Sequence, residues 1–600
     1  MQRRDLLKIA TLAPLANLGS GTAHAASPVT PTSKRSRVRP TDAAWPSKTA
    51  WARLDETVGG NLIAVQPLSA ACARTPDSAA CHDVLRDMRN PFYLGDQPAG
   101  TQVSGWLDAW RPEPSVYAIK ARTAADVVAG VNFAREHHLR LVVKGTGHSY
   151  LGTSNAADSL LIWTRSMNSV TVHDAFVPSG CANKVSALPA VTAEAGAMWI
   201  DLYDAVTTRA GRYVQGGGCT DVGVAGLVQS GGFGSFSKRY GTVSASLLEA
   251  EIVTADGIVR TVNACMNPDL FWALKGGGGG SWGVVTRLTL RTHTLPEHLG
   301  AAWGHIHAAS DDAFRRLIAR FVDFYAASLL NPHWGEQVSI GHGNALQISM
   351  VCHGLDQQQA SHTWQPFFDW VKASTADYAV IRDLGAGVTT ARSWWTIAGN
   401  DAMVPDTRAD APSSHGWWQG DQDQVGAFLH GYDSLWLPAS LLKEDSRTRI
   451  VEALFAASRH QRVQLHFNKG LAGASQPVVA TARNTAIHPA ACDAFALAII
   501  ADGEASAYPG FERSPMDLRA AHDNARAIER AATELRKIVP DAGSYVSESN
   551  YFNPTWQQAY WGENYSRLRA IKRKYDPEGL FFVHHGVGSE EWSADGFTRV

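Results

Sequence analysis

The chain has 600 residues, 45% of them hydrophobic, and a formal net charge of -2. That is material for two or three cores, and without a long basic run after the first residues it excludes a nucleic-acid binder. No later stretch has the roughly 20 apolar residues of a membrane span, so no membrane anchor is expected in the mature form.

The first segment is a targeting signal and is set aside from fold reasoning. Arg3-Arg4-Asp5-Leu6-Leu7-Lys8 is a twin-arginine pattern, Ile9 to Leu18 is mildly apolar, and Ala23-His24-Ala25 supplies a small-residue cleavage site. The expectation is a signal peptide over 1–25, the twin-arginine export machinery as a partner of the precursor, and a periplasmic or secreted mature protein. Residues 26–109 read as a linker and an amino-terminal elaboration without clear chemistry.

From about Trp110 short helices and strands alternate, an α+β pattern. Val116 to Lys120 reads as a strand, and Thr123 to His138 as a helix with a capping threonine and Asp126 in its first turn. The β-branched run Leu139 to Val143 reads as a buried strand. It delivers the loop Lys144-Gly145-Thr146-Gly147-His148-Ser149. Glycines there let backbone N–H groups approach an anion closely, and the histidine is a base, a ligand or a point of attachment. Ser159 to Trp163 and Ala190 to Ala193 read as strands, and Trp199 to Ala210 as a helix. A second glycine loop, Gln215-Gly216-Gly217-Gly218-Cys219-Thr220-Asp221-Val222-Gly223-Val224-Ala225-Gly226, precedes Gly231-Gly232-Phe233-Gly234 and a strand over Leu247 to Thr254. Asn267-Pro268-Asp269-Leu270-Phe271-Trp272-Ala273-Leu274-Lys275 then runs into Gly276 to Gly280.

Two local patterns are misleading. Gly145-x-Gly147 lacks its third glycine, because position 150 is Tyr150, so the dinucleotide fingerprint is incomplete. Gly279-Gly280-Ser281-Trp282-Gly283 fits the hydrolase nucleophile elbow in letters, but a helix precedes it and a strand follows, the reverse of what that elbow needs.

Beyond Thr294 the composition changes. Phe314 to Leu330 and Met516 to Ile538 read as helices; Leu346 to Val351, Arg462 to Phe467 and Phe495 to Ile500 alternate as half-buried strands. The expectation is an antiparallel sheet covered by helices, its other face a roof. His305-Ile306-His307 and His584-His585 lack the third ligand of a recognisable metal set, so no metal site is assigned.

Taken in order, the Gly-His-Ser loop, the Gly-x-Cys-x-x-Val-Gly loop, the Asn-Pro-Asp-Leu-Phe-Trp-Ala-Leu segment before polyglycine, and Tyr560-Trp561-Gly562-Glu563-Asn564-Tyr565-Ser566-Arg567-Leu568 with Lys574-Tyr575-Asp576-Pro577 resemble the berberine bridge enzyme family of vanillyl-alcohol-oxidase-like flavoproteins. The ending Phe581 to Trp592 is similar to the isoamyl-alcohol-oxidase-like branch. The resemblance implies a PCMH-type FAD-binding domain over 110–295, a substrate domain over 296–539 and a return to the flavin domain over 540–600. It implies FAD bonded through His148 and Cys219, with Lys144, Gly145, Thr146, Gly147, Ser149, Gly218, Val222, Gly223, Gly226, Gly232, Gly234 and Val284 as further cofactor contacts, and with Lys144 meeting the pyrophosphate. It implies Tyr545 or Glu548 as catalytic base, with His466 and Lys469 touching substrate; Ser547 stands where the family commonly has Asn. In the resembled family the residue three after the cysteine influences oxygen access, and the small Val222 at that position implies an oxidase. The implied reaction removes hydride from an alcohol or sugar, with molecular oxygen as the acceptor; a dehydrogenase passing electrons to a quinone or other carrier is the alternative. A scaffold that merely binds flavin is a third reading. With Cys219 so committed, six cysteines remain, an even number compatible with disulfides. Cys72 with Cys81 and Cys181 with Cys265 are the expected pairs.

Overall fold

The computed structural model describes residues 36–512 and 515–600. The expected signal peptide over 1–25 lies outside the described residues.

Three sheets form the frame. In the first, β1 (Leu62–Ala64), β2 (Tyr117–Lys120), β3 (Arg140–Lys144) and β4 (Ser159–Trp163) run in the order β1-β2-β4-β3. β4 is parallel to both β2 and β3, and the helix Ala124–Glu136 makes the crossover between β2 and β3. That helix starts where Thr123 and Asp126 exchange side-chain-to-backbone hydrogen bonds in a capping box, as the sequence predicts. Gly130 lets it lie close to the sheet, because a Cβ there would sit 2.7 Å from Ile119. The elaboration contributes β1 to this sheet.

The second sheet contains β5 (Val170–Phe176), β6 (Leu188–Glu194), β7 (Arg212–Val214), β8 (Leu247–Val253), β9 (Val259–Asn263) and β10 (Val284–Thr294). Its central strand, β10, pairs antiparallel with β6, β7 and β8. The helix Pro268–Leu274 precedes the polyglycine turn and β10 follows it, which bears out the rejection of a nucleophile elbow.

The third sheet is antiparallel with seven strands. β11 (His298–Ala308), β12 (Trp334–Gly341), β13 (Ala345–His353), β14 (Tyr378–Thr390), β17 (Phe428–Pro438), β18 (Val463–His466) and β19 (Ala494–Glu504) take the order β14-β11-β13-β12-β18-β19-β17. The small ladder of β15 (Met403–Pro405) and β16 (Gly416–Trp418) stands apart. Period-two alternation divides the large sheet's faces. Leu346, Ile348 and Met350 of β13, Val338 and Ile340 of β12, and Val463 and Leu465 of β18 enter one core with the helices Asp311–Phe324, Gln357–Ala373, Arg447–Ser458 and Leu518–Arg536. The opposite face carries Trp303, Ser349, Gln337 and His466, which lie in one cross-strand row by register.

The carboxy-terminal segment returns to the first two sheets. Leu141 bridges Phe581, and Lys572 Nζ donates to the carbonyls of Ser281 (2.6 Å) and Phe581 (2.7 Å) while pairing with Asp576. Both expected disulfides are present, Cys72–Cys81 and Cys181–Cys265. Cys352 and Cys492 are free thiols buried in separate cores.

Candidate active site

One cavity of about 2050 Å³ is lined by both glycine loops, the polar face of the third sheet and the carboxy-terminal segment. Small-molecule sites hold roughly 300–1,000 Å³, so this one has room for a dinucleotide cofactor and a substrate together. The Lys144-to-Ser149 loop leaves the end of β3, where Gly147 takes a φ of +87°. His148 lies at the cavity with its Nε2 against Asp221 Oδ2, an ion pair when the imidazole is protonated. Ser149 Oγ accepts from Thr153 N at 3.1 Å and from Thr153 Oγ1 at 2.7 Å, which closes the loop on itself.

The cysteine loop lies alongside. Met198 bridges Gly223, and Trp199 N donates to Val222 O at 3.0 Å. Gly218, Cys219, Val222, Gly223 and Gly226 all line the cavity. Around Gly226 a Cβ would meet nothing within 4 Å, so its backbone is open to a ligand. Burial raises the Cys219 thiol well above its ordinary pKa, and the carboxylates Asp421, Asp221 and Glu336 add to that.

Three expected cofactor contacts, Val284, Gly232 and Gly234, do not line the cavity, and a fourth, Lys144, lines it while its ammonium is engaged elsewhere. Lys144 has its ammonium buried beneath the loop, donating to the carbonyls of Gln97 (2.9 Å), Pro98 (2.5 Å) and Gly100 (3.0 Å). Those three acceptors satisfy all of its N–H groups, so it holds the amino-terminal elaboration and leaves no donor for a pyrophosphate. Val284 points into the core against Val253, and its neighbour Val285 faces the cavity, as alternation along β10 requires. At Gly232 a Cβ would sit 2.3 Å from Leu227, and at Gly234 2.3 Å from the Gly216 carbonyl. These two glycines permit close packing behind the loop.

The roof brings together residues from distant positions. Tyr545 is buried edge-on to Phe233, and its hydroxyl has no partner. Burial, then the Glu548 charge, raises that hydroxyl's pKa. Glu548 is ion-paired with Lys469, and both line the cavity with Tyr545 and His466. Burial, then Lys469, holds His466 well below the ordinary imidazole value, and its Nε2 is unpartnered.

Glu336, Asp221 and Asp421 were not singled out by sequence reasoning. Parity on β12 would send Glu336 into the core with Trp334 and Val338. A left-handed φ of +67° releases its carboxyl to the cavity side, where it accepts from Ser235 Oγ at 2.5 Å and Asn468 Nδ2 at 3.3 Å. Burial raises its pKa. For a residue other than glycine such a backbone costs of order 1–3 kcal/mol. Nothing in the local letters marks it. Asp421 belongs to the turn Gln419–Gln424 after β16, in a stretch whose sequence offers only aromatics as a signal. Asp221 stood in the quoted loop, two residues beyond Cys219.

Five buried polar atoms of lining residues have no hydrogen-bond partner among the described residues: Tyr545 Oη, His466 Nε2, Gln337 Oε1, Asn468 Oδ1 and Gln229 Oε1. Buried polar groups are rarely left unpaired, so an array of five marks a polar ligand site. With the open glycine cradle beneath it, the cavity fits a flavin cofactor.

Residues 116–263 match the family model for an FAD binding domain, and residues 544–588 match the one for berberine and berberine-like proteins. The chain thus carries an FAD binding domain and a berberine-like carboxy-terminal segment, and its relatives are FAD-linked oxidoreductases. It is 29% identical to the VAO-type flavoprotein oxidase VAO615 of Thermothelomyces thermophilus over 94% of this chain and 95% of that protein. To an uncharacterized FAD-linked oxidoreductase of Arthroderma benhamiae it is 26% identical, over 93% and 95%. Among solved structures, the VAO-type flavoprotein MtVAO615 from Myceliophthora thermophila C1 matches with a TM-score of 0.76 at 25% identity, over 94% of this chain and all of that one. Glucooligosaccharide oxidase of Acremonium strictum, described with a 6-S-cysteinyl, 8α-N1-histidyl FAD, shares the fold at a TM-score of 0.60 and 20% identity, over 81% and 94%. These matches agree with the α+β, PCMH-type fold expected of this FAD-linked oxidoreductase.

Proposed function

We propose that this flavoprotein is an exported oxidase that holds FAD by two covalent bonds, at His148 and Cys219, and oxidises an alcohol or carbohydrate hydroxyl with dioxygen as acceptor. The observation that carries the reading is the meeting of His148 and Cys219 in one cavity, beneath a roof that presents Tyr545, Glu548 and Lys469. When bound, FAD supplies a two-electron acceptor for hydride from a carbinol carbon and a donor to dioxygen, which leaves as hydrogen peroxide.

The remaining roles fall to the chain. Glu548, held by Lys469, accepts the substrate hydroxyl proton, and Tyr545, kept protonated by burial, donates a hydrogen bond to the same oxygen. Gln337, Ser349 and His466 give the roof a polar row, and Trp303, Trp394 and Trp418 line the same space. Polar groups beside aromatic rings suit a sugar better than a small aliphatic alcohol. The name carbohydrate oxidase, carried by a Microdochium nivale protein of this fold, supports the same substrate class. Val222 at the cavity wall supports oxygen access. The twin-arginine leader and two disulfides support export to an oxidising compartment.

The test is a panel of sugars and alcohols assayed for peroxide release, beside anaerobic dye reduction. Peroxide from a sugar supports the reading. Dye reduction without peroxide replaces it with a carrier-linked dehydrogenase, and purified protein without yellow colour overturns it.

A further inference from the structure

Each of the two residues expected to bond the cofactor has a carboxylate against it. Asp221 Oδ2 meets His148 Nε2, and Asp421 lines the cavity with Cys219 and is the foremost charge acting on its thiol. Asp421 arrives from far along the chain, and its segment is fastened to the cysteine loop at two points. Trp418 Nε1 donates to Gly218 O at 3.2 Å, and Thr220 Oγ1 donates to Gly416 O at 2.7 Å. The charged groups acting on the Cys219 thiol are Asp421, Asp221 and Glu336, all carboxylates. This is the reverse of the electropositive setting that gives a cysteine a resting thiolate. A bond formed by this sulfur therefore needs a proton acceptor within hydrogen-bond reach. Asp421, whose segment is fastened to the cysteine loop and whose charge acts on this thiol ahead of the other two carboxylates, is the candidate.

We infer that Asp421 and Asp221 are the proton acceptors for the two covalent attachments, Asp421 serving Cys219 and Asp221 serving His148. This rests on the bicovalent reading above. Each attachment replaces one flavin C–H bond and one protein S–H or N–H bond by a C–S or C–N bond. Two electrons and two protons are released, and dioxygen, the oxidant, takes them up as hydrogen peroxide. The protein-side proton leaves by way of the carboxylate. At His148 the pair also sets the tautomer. Nε2–H donates to Asp221, so the free lone pair is on Nδ1, and the bond forms through Nδ1. Burial and Asp221 push the Asp421 carboxyl up to about 6, which leaves it able to accept a proton at neutral pH.

Peptide mass mapping counts the two bonds separately and does not depend on turnover. Wild type, Asp421→Asn, Asp421→Glu, Asp221→Asn and Asp221→Leu are sampled early and late after induction, with FAD carried through native gel filtration as the check on folding. Wild type is expected to bear flavin on both peptides. Asp421→Asn should keep the histidyl bond and gain the cysteinyl bond about 10²-fold more slowly, the lower end of what a general base contributes; Asp421→Glu should restore it. Asp221→Leu should lose the histidyl bond, and Asp221→Asn, whose carbonyl still accepts from Nε2–H, should be slowed less. Wild type carrying neither bond overturns the bicovalent reading. Wild type carrying both, with Asp421→Asn acquiring the cysteinyl bond as fast as Asp421→Glu, overturns the inference alone.

Discussion

The floor and the roof of the cavity are built by opposite means. The floor comes from two short contiguous loops, 144–149 and 215–226, whose glycines and flanking strands can be read as words in the sequence. The roof is assembled from single residues on strands of the third sheet, from the 419–424 turn and from the segment around Tyr545. In the floor, backbone conformation does the work and composition records it. In the roof, side chains are placed by strand register, and register leaves no local mark. A motif search therefore finds where a cofactor lies before it finds what is done with it.

The sharpest way to break this comparison is at the floor. His148→Ala and Cys219→Ala singly should each leave flavin on the protein after acid denaturation, seen by ultraviolet light on a gel. The double variant should release all of it. Flavin lost from wild type would remove the distinction. At the roof, Glu548→Gln should lower kcat for peroxide release by about 10²–10⁴-fold with flavin content unchanged. An unchanged kcat would move the proton acceptor to another residue.

A smaller effect is expected where the floor meets the elaboration. Lys144→Met leaves the Pro98 and Gly100 carbonyls without their donor and should lower unfolding stability by about 2–5 kcal/mol, read by denaturant titration. The pH dependence has a definite sign. Burial pushes Lys144 down to about 7 from an ordinary 10.5, so between those values the unfolded chain binds the proton that the folded chain lacks. Wild-type stability should rise relative to the variant from about pH 7 to 10.5. The smallest effect belongs to the polar row. Gln337→Leu should raise KM for a sugar substrate roughly tenfold, the worth of one hydrogen bond of about 1.4 kcal/mol, and leave kcat nearly unchanged.

What was legible follows the same division. The helix over 124–136 announced itself through Thr123 and Asp126, and β13 and β18 through strict alternation. β17 was not legible. It is buried on both faces, so it has no polar phase, and Gly431 and Asp433 interrupt its apolar run. β14 failed for the opposite reason, being an edge strand exposed along much of its length, with Gly385 and Gly387 in it. Of the candidate site, His148, Cys219 and the Tyr545–Glu548 segment were named from motifs. Lys144 was misplaced because a lysine beside a glycine loop suggests a phosphate partner. Its actual partners are carbonyls some forty residues upstream, visible only once the chain is folded.

The left-handed backbone at Glu336 sets two kinds of selection against each other. A library varied at this position and screened only for survival of heat should drift to glycine or asparagine, which take that conformation at little cost. The same library screened for turnover should return glutamate, because only a carboxyl there completes the contacts to Ser235 and Asn468. If the two screens diverge, the strain at Glu336 is a cost maintained by function.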